Sequence, residues 1–367
     1  MKINSVTLND FRNISEMTLF ANDEVNVIYG QNAQGKTNIL EALWLFTGCK
    51  SFRGSKDSEF IKFNSEFSKI SLEYTDKIRE KKAEIIFSDK KKAFLNGVEK
   101  KSTAEFIGEF YAVIFSPSHL SLIKDGPNVR RKFLDTAICQ IKPKYAKTLK
   151  DYKKILLERN SLLKDIQYHS ELFDVLDSWD EQLAKYSALI IKDRIKYINL
   201  LSEKSEEIYA GISENKEKFS LKYLCGLDSL EKTDVNDIYD FLTEKIKEAR
   251  KEDILFKTTS VGPHRDDIEI KIDDMSARSF GSQGQQRSCA LALKLGESEI
   301  IKDITGENPV ALLDDVMSEL DEKRQDYVLN HIKERQVFLT CCDPSQVLRL
   351  CKGKSFLIES GKIKEEK

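Results

Sequence analysis

Two glycines, a lysine and a threonine lie at a spacing that can bind the phosphates of a nucleotide. They belong to the segment Gly30, Gln31, Asn32, Ala33, Gln34, Gly35, Lys36 and Thr37, which Asn38 follows. Gly30 and Gly35 allow a tight turn that brings backbone N–H groups close to phosphate oxygens. Lys36 then reaches the β- and γ-phosphates, and the Thr37 hydroxyl is placed to ligate a magnesium ion, Mg²⁺. The segment predicts a nucleotide site of the P-loop type.

The residues on either side predict the elements that must hold such a loop. An apolar run over residues 25–28 predicts a buried strand that ends before Gly30. Apolar residues then recur at helical spacing from Ile39 to Phe46, so a helix is expected to begin near Lys36. The partial positive charge of a helix start favours a bound phosphate.

A second apolar run ends in two carboxylates. Residues 310–313 predict a buried strand, and Asp314 and Asp315 follow it. Asp314 can hold Mg²⁺ directly or through water, and Asp315 can orient or deprotonate the attacking water. An apolar run that ends in an acid is common at loop starts. With the P-loop upstream, we favour the Walker B interpretation.

Four polar residues precede an apolar helical stretch further along the chain: Ser282, Gln283, Gly284 and Gln285. A serine and a glycine at a helix start offer a hydroxyl and free N–H groups to an anion. Taken alone, these residues are typical of an ordinary helix N-cap. A polar helix start of this kind, followed by an acidic strand, is the order found in ABC-type ATPases.

Composition narrows the class of protein. The chain has 367 residues, 40% hydrophobic and 33% charged, which is typical of a globular protein of two domains or one domain with an insertion. A net charge of −2 means that any nucleic-acid site must be a local basic patch. The first ten residues lack the apolar core of a signal peptide, and no run reaches the length of a membrane span.

The cysteines indicate no zinc site. Seven cysteines show no CxxC spacing and no histidine partners. Cys341 and Cys342 lie in an apolar run, so we expect buried, reduced thiols and a cytoplasmic protein.

The hydrophobic pattern changes twice along the chain. Residues 1–118 and 251–367 predict strands and helices of an α/β domain, with an Asn96-Gly97 hairpin turn. Residues 119–250 predict a helical insertion. Apolar residues from Pro143 to Leu201, with a polar break at Gln167 to Ser170, predict two helices packed antiparallel. We favour an ordinary helical bundle over an extended coiled coil.

Basic residues are frequent at the start of this insertion: Lys124, Arg130, Arg131, Lys132, Lys142, Lys144, Lys147, Lys150, Lys153 and Lys154. They could bind the DNA backbone, since affinity for DNA is built by neutralising phosphates. A solvated helix face is the alternative and is favoured on composition alone, because acidic residues are also frequent after Asp151.

The whole chain resembles the RecF family of recombinational-repair ATPases, in the ABC/SMC-like superfamily. The P-loop alone would be generic, but two further motifs are more specific to the family: GPHRDD at 262–267 and DGPNVRRKFLD at 125–135. The other motifs that carry the resemblance are LNDFRN at 8–13, GQNAQGKTNILEAL at 30–43, SQGQQRS at 282–288 and LLDDVMSELD at 312–321.

The resemblance implies an α/β ATPase head of mixed sheet and helices with an inserted helical lobe. It implies that Lys36, Thr37 and Asp314 hold the phosphates of ATP and Mg²⁺, and that Asp315 is the catalytic carboxylate. Arg12 would lie near the nucleotide. Residues 282–285 would be the signature motif, which caps the γ-phosphate bound by the opposite subunit, and residues 318–321 the D-loop.

Two departures from relatives stand out. Residues 117–120 read Pro-Ser-His-Leu where family members often have Pro-Glu-Asp-Leu, so an essential role for those two carboxylates is not expected here. Thr340 and Cys341 lie where transporter-type relatives carry a switch histidine.

The function implied by the resemblance is a slow, DNA-stimulated ATPase that works as a switch. An ATP-dependent homodimer would clamp double-stranded and gapped DNA, with RecR as partner and RecO and RecA in the same pathway. The resemblance further implies a part in DNA repair, DNA replication and the SOS response, with no membrane involved.

The alternatives are a small-molecule P-loop kinase and the nucleotide-binding subunit of an ABC transporter. A kinase would not need residues 282–285. The SMC/Rad50 branch would need long coiled-coil arms that this chain lacks.

Overall fold

The computed structural model describes residues 1–166, 168–227, 234–344 and 353–367. The predicted break residue Gln167 and Cys351 lie outside the described residues. The chain divides into two compact units. The first contains Met1–Leu120, Gly211–Glu214 and Ala290–Lys367, and the second contains Ser121–Ala210 and Asn215–Cys289. Residues 251–289 thus pack in the second unit. The predicted boundaries of the ATPase domain and the helical insertion, at 118/119 and 250/251, stay a prediction.

The first unit contains an antiparallel sheet with the strand order β2-β1-β4-β5-β6-β7. Its strands are β1 (Lys2–Phe11), β2 (Ile14–Phe20), β4 (Ser68–Thr75), β5 (Glu80–Phe87), β6 (Lys92–Leu95) and β7 (Val98–Lys100). The predicted Asn96-Gly97 hairpin joins β6 to β7, and both turn residues have positive φ (51° and 78°), as this tight turn requires. β2 was not predicted, because its apolar residues Ile14, Met17, Leu19 and Phe20 do not alternate strictly with polar ones.

A second sheet in the same unit carries the P-loop. Its order is β15-β14-β3-β13-β12-β8. Its strands are β3 (Val25–Tyr29), β8 (Ala112–Phe115), β12 (Val310–Asp314), β13 (Val337–Cys341), β14 (Gly353–Glu359) and β15 (Lys362–Glu366). The five strands from β14 to β8 run parallel, and those at the centre are buried, which explains their continuous apolar sequences. The sequence of residues 354–362, with Ser360-Gly361 in the turn, predicts a hairpin, and the antiparallel pair β14 and β15 confirms it.

Helices complete the first unit. They are α1 (Lys36–Leu45) and α9 (Glu322–Ile332), and α8 (Gln283–Thr305) passes from the second unit into the first. α1 begins at Lys36 as predicted and is buried on most sides. One apolar cluster joins side chains of both sheets and of α1, so the P-loop stands on a packed core. Short 3₁₀ helices occur at Asp57–Phe60, Thr103–Phe106, Pro117–Leu120 and Met317–Glu319.

The second unit is mainly helical. Its helices are α2 (Ser121–Lys124), α3 (Pro127–Ile141), α4 (Pro143–Asp165), α5 (Phe173–Ile212), α6 (Val235–Phe256) and α7 (Ala277–Phe280), with a 3₁₀ turn at Ser170–Leu172. α4 and α5 pack antiparallel, as predicted: Arg159 pairs with Asp180, and Tyr145 and Arg194 bond at the other end. None of the described helices is long and apolar enough to span a lipid bilayer.

A three-stranded sheet in the second unit was only partly predicted. Its order is β11-β10-β9, formed by β9 (Phe219–Leu224), β10 (Asp267–Ile272) and β11 (Met275–Ser276). In the sequence, Ile268, Ile270 and Ile272 alternate with charged residues, which predicts a half-buried strand, and β10 confirms it. β9 lies inside the region predicted to be helical, and its partner β10 is more than 40 residues away, so no local pattern reveals the pairing.

Candidate functional site

The P-loop of the first unit has the backbone that its glycines predict. Gly30 has φ 144° and Gly35 has φ 109°. A Cβ at Gly30 would lie 2.4 Å from the Ile358 carbonyl oxygen, and one at Gly35 would lie 2.9 Å from Asn13 Oδ1. Both positions therefore favour glycine for φ, and Gly30 requires it for space as well, because its neighbour is backbone. The loop ends at the start of α1, whose first N–H groups have no side-chain cap.

Lys36 is folded back onto this loop. Its ammonium donates hydrogen bonds to the carbonyl oxygens of Gly30 (2.7 Å) and Gln31 (3.0 Å). The residue is 4% exposed. The ammonium is thus held beside the backbone that would surround bound phosphates.

Thr37 and Asp314 meet although they lie at opposite ends of the chain. The Thr37 hydroxyl donates to Asp314 Oδ1 at 2.8 Å. Burial raises the pKa of Asp314 above its ordinary value, an effect that the hydrogen bonds from Thr37 and Thr340 and the charge of Arg53 oppose. A bound cation would favour the ionised carboxylate here.

Thr340 is a site residue whose role the sequence left open. Its buried hydroxyl donates to Asp314 Oδ1 (3.0 Å) and accepts from the backbone N–H of Asp315 (2.9 Å). Asp315 has φ 51°, a conformation that needs such support. Thr340 thus lies where transporter-type ATPases are expected to carry a switch histidine. Its hydroxyl links Asp314 and Asp315 to β13.

Sheet order explains why these groups converge. β3, β13 and β12 are parallel neighbours, with Ile28 beside Thr340 and Thr340 beside Asp314. Their carboxyl ends lie at one edge, where ligands of open α/β sheets bind. The P-loop, Thr340 and the two carboxylates follow these three ends.

A cavity of about 530 Å³ lies beside the P-loop, lined in part by Gly30, Gln31 and Gln34. Cys342 also lines it, with Sγ 3.9 Å from Lys36 Nζ and 3.3 Å from Asn32 Oδ1. Cys342 is exposed, so the expectation of two buried thiols was wrong for this residue. It follows the last residue of β13, where the chain leaves the sheet. Cys341 is partly buried, and burial raises the pKa of its thiol to about 12.

Arg12 belongs to a polar cluster that includes the α1 residue Glu41. It pairs with the fully buried Glu41 (2.7 Å) and lies over the Phe60 ring. That Arg12 lies near the nucleotide stays a prediction.

Arg53 is a residue near the site that the sequence did not reveal. It donates a hydrogen bond to Asn38 Oδ1 (3.0 Å), and its positive charge lowers the pKa of Asp314. Its loop has no motif signal.

The donor set suits ATP and Mg²⁺. Thr37 offers a hydroxyl and Asp314 a carboxylate, with Thr37 Oγ1 2.8 Å from Asp314 Oδ1. Mg²⁺ is bound in this way, through one or two such oxygens together with substrate phosphates. No cluster of three or more His, Cys, Asp or Glu side chains occurs in the described parts of the chain, so a metal cage without phosphates is not formed there.

The predicted signature residues lie in the second unit, where α8 begins. The Gln285 backbone N–H donates to Ser282 Oγ (3.3 Å), and the Ser282 N–H donates to Gln285 Oε1 (2.8 Å). This reciprocal pair is a capping box. Gln285 Nε2 also donates to Glu217, which accepts from Tyr209. Ser282 and Gln283 remain exposed, so the cap leaves them open to a ligand.

Two other predicted segments have structural partners. In the D-loop, Ser318 Oγ donates to the Asp315 carbonyl (2.9 Å), and Asp321 caps α9. Ser116 donates its backbone N–H to His119 Nδ1 (3.0 Å). Burial lowers the pKa of His119 well below its ordinary value, so this histidine is neutral.

The basic residues of the insertion fall into two groups. Arg130 is buried and pairs with Asp267, and Arg131 binds the Asp266 carbonyl, so neither is free for DNA. Of these basic residues, five exposed lysines of α4 carry no ion pair with any described acid: Lys144, Lys147, Lys150, Lys153 and Lys154. Lys147, Lys150 and Lys154 lie opposite the buried face of the helix.

Comparisons with known proteins agree with this architecture. The family model described as RecF/RecN/SMC N terminal domain matches residues 2–352. The DNA replication and repair protein RecF of Clostridium acetobutylicum is 41% identical over 369 residues, with 100% of both chains covered. A solved structure of the recombination mediator protein RecF-ATP in the RecFOR pathway superposes with a TM-score of 0.92 at 39% identity, covering 100% of this chain and 97% of that chain.

A more distant structure shows the fold alone. The Smc head domain of Pyrococcus furiosus has a TM-score of 0.56 at 16% identity, covering 100% of this chain and 96% of that one. The expected ABC/SMC-type ATPase head is therefore confirmed, and the kinase and transporter alternatives are not favoured. The chain therefore belongs to the RecF family of ABC/SMC-type ATPases.

Proposed function

We propose that this protein is an ATP-driven switch of recombinational DNA repair. ATP with Mg²⁺ binds at the P-loop, and slow hydrolysis resets the switch. The single observation that carries the proposal is the contact of Thr37 with Asp314, with Thr340 joining Asp314 to Asp315. One group for the metal and one for the attacking water are thereby held beside the phosphate loop.

The roles of these residues follow from their chemistry. The loop N–H groups and Lys36 bind the β- and γ-phosphates, and Thr37 and Asp314 hold the metal. Mg²⁺ would neutralise charge that develops on the transferred phosphoryl group. Asp315 orients the attacking water and accepts its proton.

ATP binding drives assembly of a homodimer. Ser282 to Gln285 cap the γ-phosphate held by the opposite protomer, and the exposure of Ser282 and Gln283 supports this role. A nucleotide that binds the dimer better than the monomer shifts the equilibrium by mass action. The dimer then acts with RecR, RecO and RecA at gapped DNA in the cytoplasm.

The exposed face of α4 is the proposed DNA contact. Lys147, Lys150 and Lys154 have no acidic partner among the described residues, so their charge is available to phosphates. DNA bound there would stimulate the ATPase by stabilising the dimer.

The test of the ATP switch is molar mass in solution for the Asp315→Asn protein, with and without ATP and short gapped duplex DNA. We expect an ATP-dependent change from monomer to dimer. Adding Ser282→Arg should abolish it while ATP binding by the monomer stays normal, which serves as the control for folding. A monomer under every condition, with free ATP turnover by the wild type and no DNA retention, would contradict the proposal.

The DNA contact is tested by reversing charge at Lys147, Lys150 and Lys154. The matched control reverses three exposed lysines of α5 and α6, namely Lys185, Lys247 and Lys251, with the same change in net charge. We expect at least a tenfold loss of DNA affinity and a salt dependence weaker by about one unit of slope per lysine. An equal loss in the control would assign the effect to net charge and reject the α4 contact.

A further inference from the structure

The two motifs that carry most of the family resemblance bind each other within the second unit. Arg130, of the DGPNVRRKFLD motif, donates two hydrogen bonds to Asp267, of the GPHRDD motif (2.7 and 2.8 Å). The next residue, Arg131, donates to the Asp266 carbonyl. None of these residues has a part in the nucleotide chemistry.

Arg130 also holds the loop that precedes its own helix. Its Nη1 donates to the carbonyl oxygens of Leu122 (3.2 Å) and Asp125 (2.7 Å). The Arg130 side chain is 6% exposed. One planar guanidinium therefore joins the start of β10, at Asp267, to the segment 122–125, and a lysine could not make all four bonds.

The same segment holds the residues just before the signature motif. Arg278, in α7, donates to the Lys124 carbonyl (3.0 Å). The buried Gln286, in the first turn of α8, donates to the carbonyl oxygens of Ala277 (3.1 Å) and Arg278 (3.3 Å). The segment 122–125 is thus bonded through Arg278 to the helix that begins after Ser282.

We propose that Arg130 is a positioning residue for the signature motif. It fixes both Asp267 and the segment 122–125, and this segment sets α7 and the first turn of α8 through Arg278. The inference rests on the proposed function, in which residues 282–285 cap ATP held by a second copy of the chain. Capping needs correct placement within about an ångström, because such misplacement costs up to about 100-fold in assembled sites.

The test compares Arg130→Lys with Arg159→Lys. Arg159 is an equally buried arginine of the same unit that pairs with Asp180 and Asp253, and it has no bond to the segment 122–125. We expect Arg130→Lys to weaken ATP-dependent dimerisation about tenfold or more, while ATP affinity of the monomer stays within twofold. Arg159→Lys should change dimerisation much less, even where it lowers Tm to the same extent.

A second variant tests the route. The loss of dimer affinity in the double variant of Arg130→Lys and Arg278→Gln should be smaller than the sum of the losses in the two single variants. Both substitutions act through the segment 122–125. Equal losses in the Arg130 and Arg159 variants, or unchanged dimerisation in Arg130→Lys, would overturn the inference.

Amide hydrogen exchange separates this inference from the proposed function. In the ATP-free protein, Arg130→Lys should speed exchange of residues 282–286, and Arg159→Lys should not. If the wild type fails to dimerise with ATP, the proposed function fails, and the exchange result still decides whether Arg130 orders the signature residues. Unchanged exchange at 282–286 in Arg130→Lys would reject the positioning role.

Discussion

The Thr37 hydroxyl lies 2.8 Å from Oδ1 of Asp314, across 277 positions of sequence. This contact places the hydroxyl of the P-loop against the acid at the end of β12, which β13 separates from β3 in the sheet. Thr340 bonds to the same carboxylate oxygen at 3.0 Å. The P-loop threonine and the two carboxylate residues therefore form one hydrogen-bonded group.

Asp314→Asn should abolish most hydrolysis. The amide keeps the shape but loses the anionic ligand for Mg²⁺, and we expect kcat to fall at least about 100-fold, which corresponds to about 2.7 kcal/mol. Steady-state ATPase assays over a range of Mg²⁺ concentrations would measure this. Thr37→Ser keeps the hydroxyl and is the matched control with near-normal activity.

The same substitution should stabilise the nucleotide-free protein at neutral pH. Burial raises the pKa of Asp314, so its stabilising contribution is present at low pH and is lost as pH rises through the folded-state value. Asparagine does not ionise, so the variant avoids the cost of burying a charged carboxylate at neutral pH. Its Tm at pH 7.5 should therefore exceed that of the wild type. A lower Tm for Asp314→Asn at pH 7.5 would show that the hydrogen bonds outweigh the desolvation.

Thr340→Val should impair both stability and turnover. The variant keeps the volume but removes the hydroxyl that serves Asp314 and the Asp315 N–H. A buried group left without its partner costs about 1–3 kcal/mol in the free energy of unfolding. Urea unfolding and kcat measure the two effects, and Thr340→Ser should restore both. Val and Ser variants with equal kcat would rule out a role for this hydroxyl.

Alkylation of Cys342 should compete with ATP. The exposed thiol lies 3.9 Å from Lys36 Nζ and lines the cavity beside the P-loop. A maleimide adduct there would block the phosphates sterically, and bound ATP would slow labelling. Mass spectrometry with and without ATP identifies the site, and Cys342→Ser should bind ATP normally and resist inactivation. Labelling at Cys342 that leaves ATP affinity unchanged would contradict the prediction.

Two groups of the second unit, the buried Asp266 and the half-buried His264, should give opposite pH dependences. Burial raises the pKa of Asp266 from 3.8 to about 6, so its contribution to stability declines as pH rises from about 4 to 6. Burial lowers the pKa of His264 from 6.5 to about 4, so its contribution declines as pH falls through the same window. In the wild type the two slopes should nearly cancel.

Removing either group should reveal the other slope. Asp266→Asn should lose stability on acidification by up to about 1.4 kcal/mol per pH unit, and His264→Gln should gain stability by a similar amount. Urea unfolding of both variants from pH 4.5 to 7 would measure the slopes. Parallel pH profiles for the wild type and both variants would show that neither group titrates in this window.

Much of the fold was predictable because its signals are local. The P-loop residues, α1, the strand before Asp314 and the Asn96-Gly97 turn each depend on contiguous residues whose spacing and φ preferences are set by the backbone. β9 was missed because its pairing with β10 is remote in sequence. Arg53 was missed because its loop carries no recurring pattern.

The sequence by itself determined that a P-loop, an acidic strand end and a polar helix start exist, since each is encoded within a few residues. Only the tertiary structure decided that Thr37 meets Asp314, because this depends on β3, β13 and β12 being neighbours. It likewise decided that Arg130 is buried and paired with Asp267. Composition cannot distinguish a paired charge from an unpaired one. Asp267, the partner of Arg130, lies 137 residues away in sequence, and only folding brings the two side chains together.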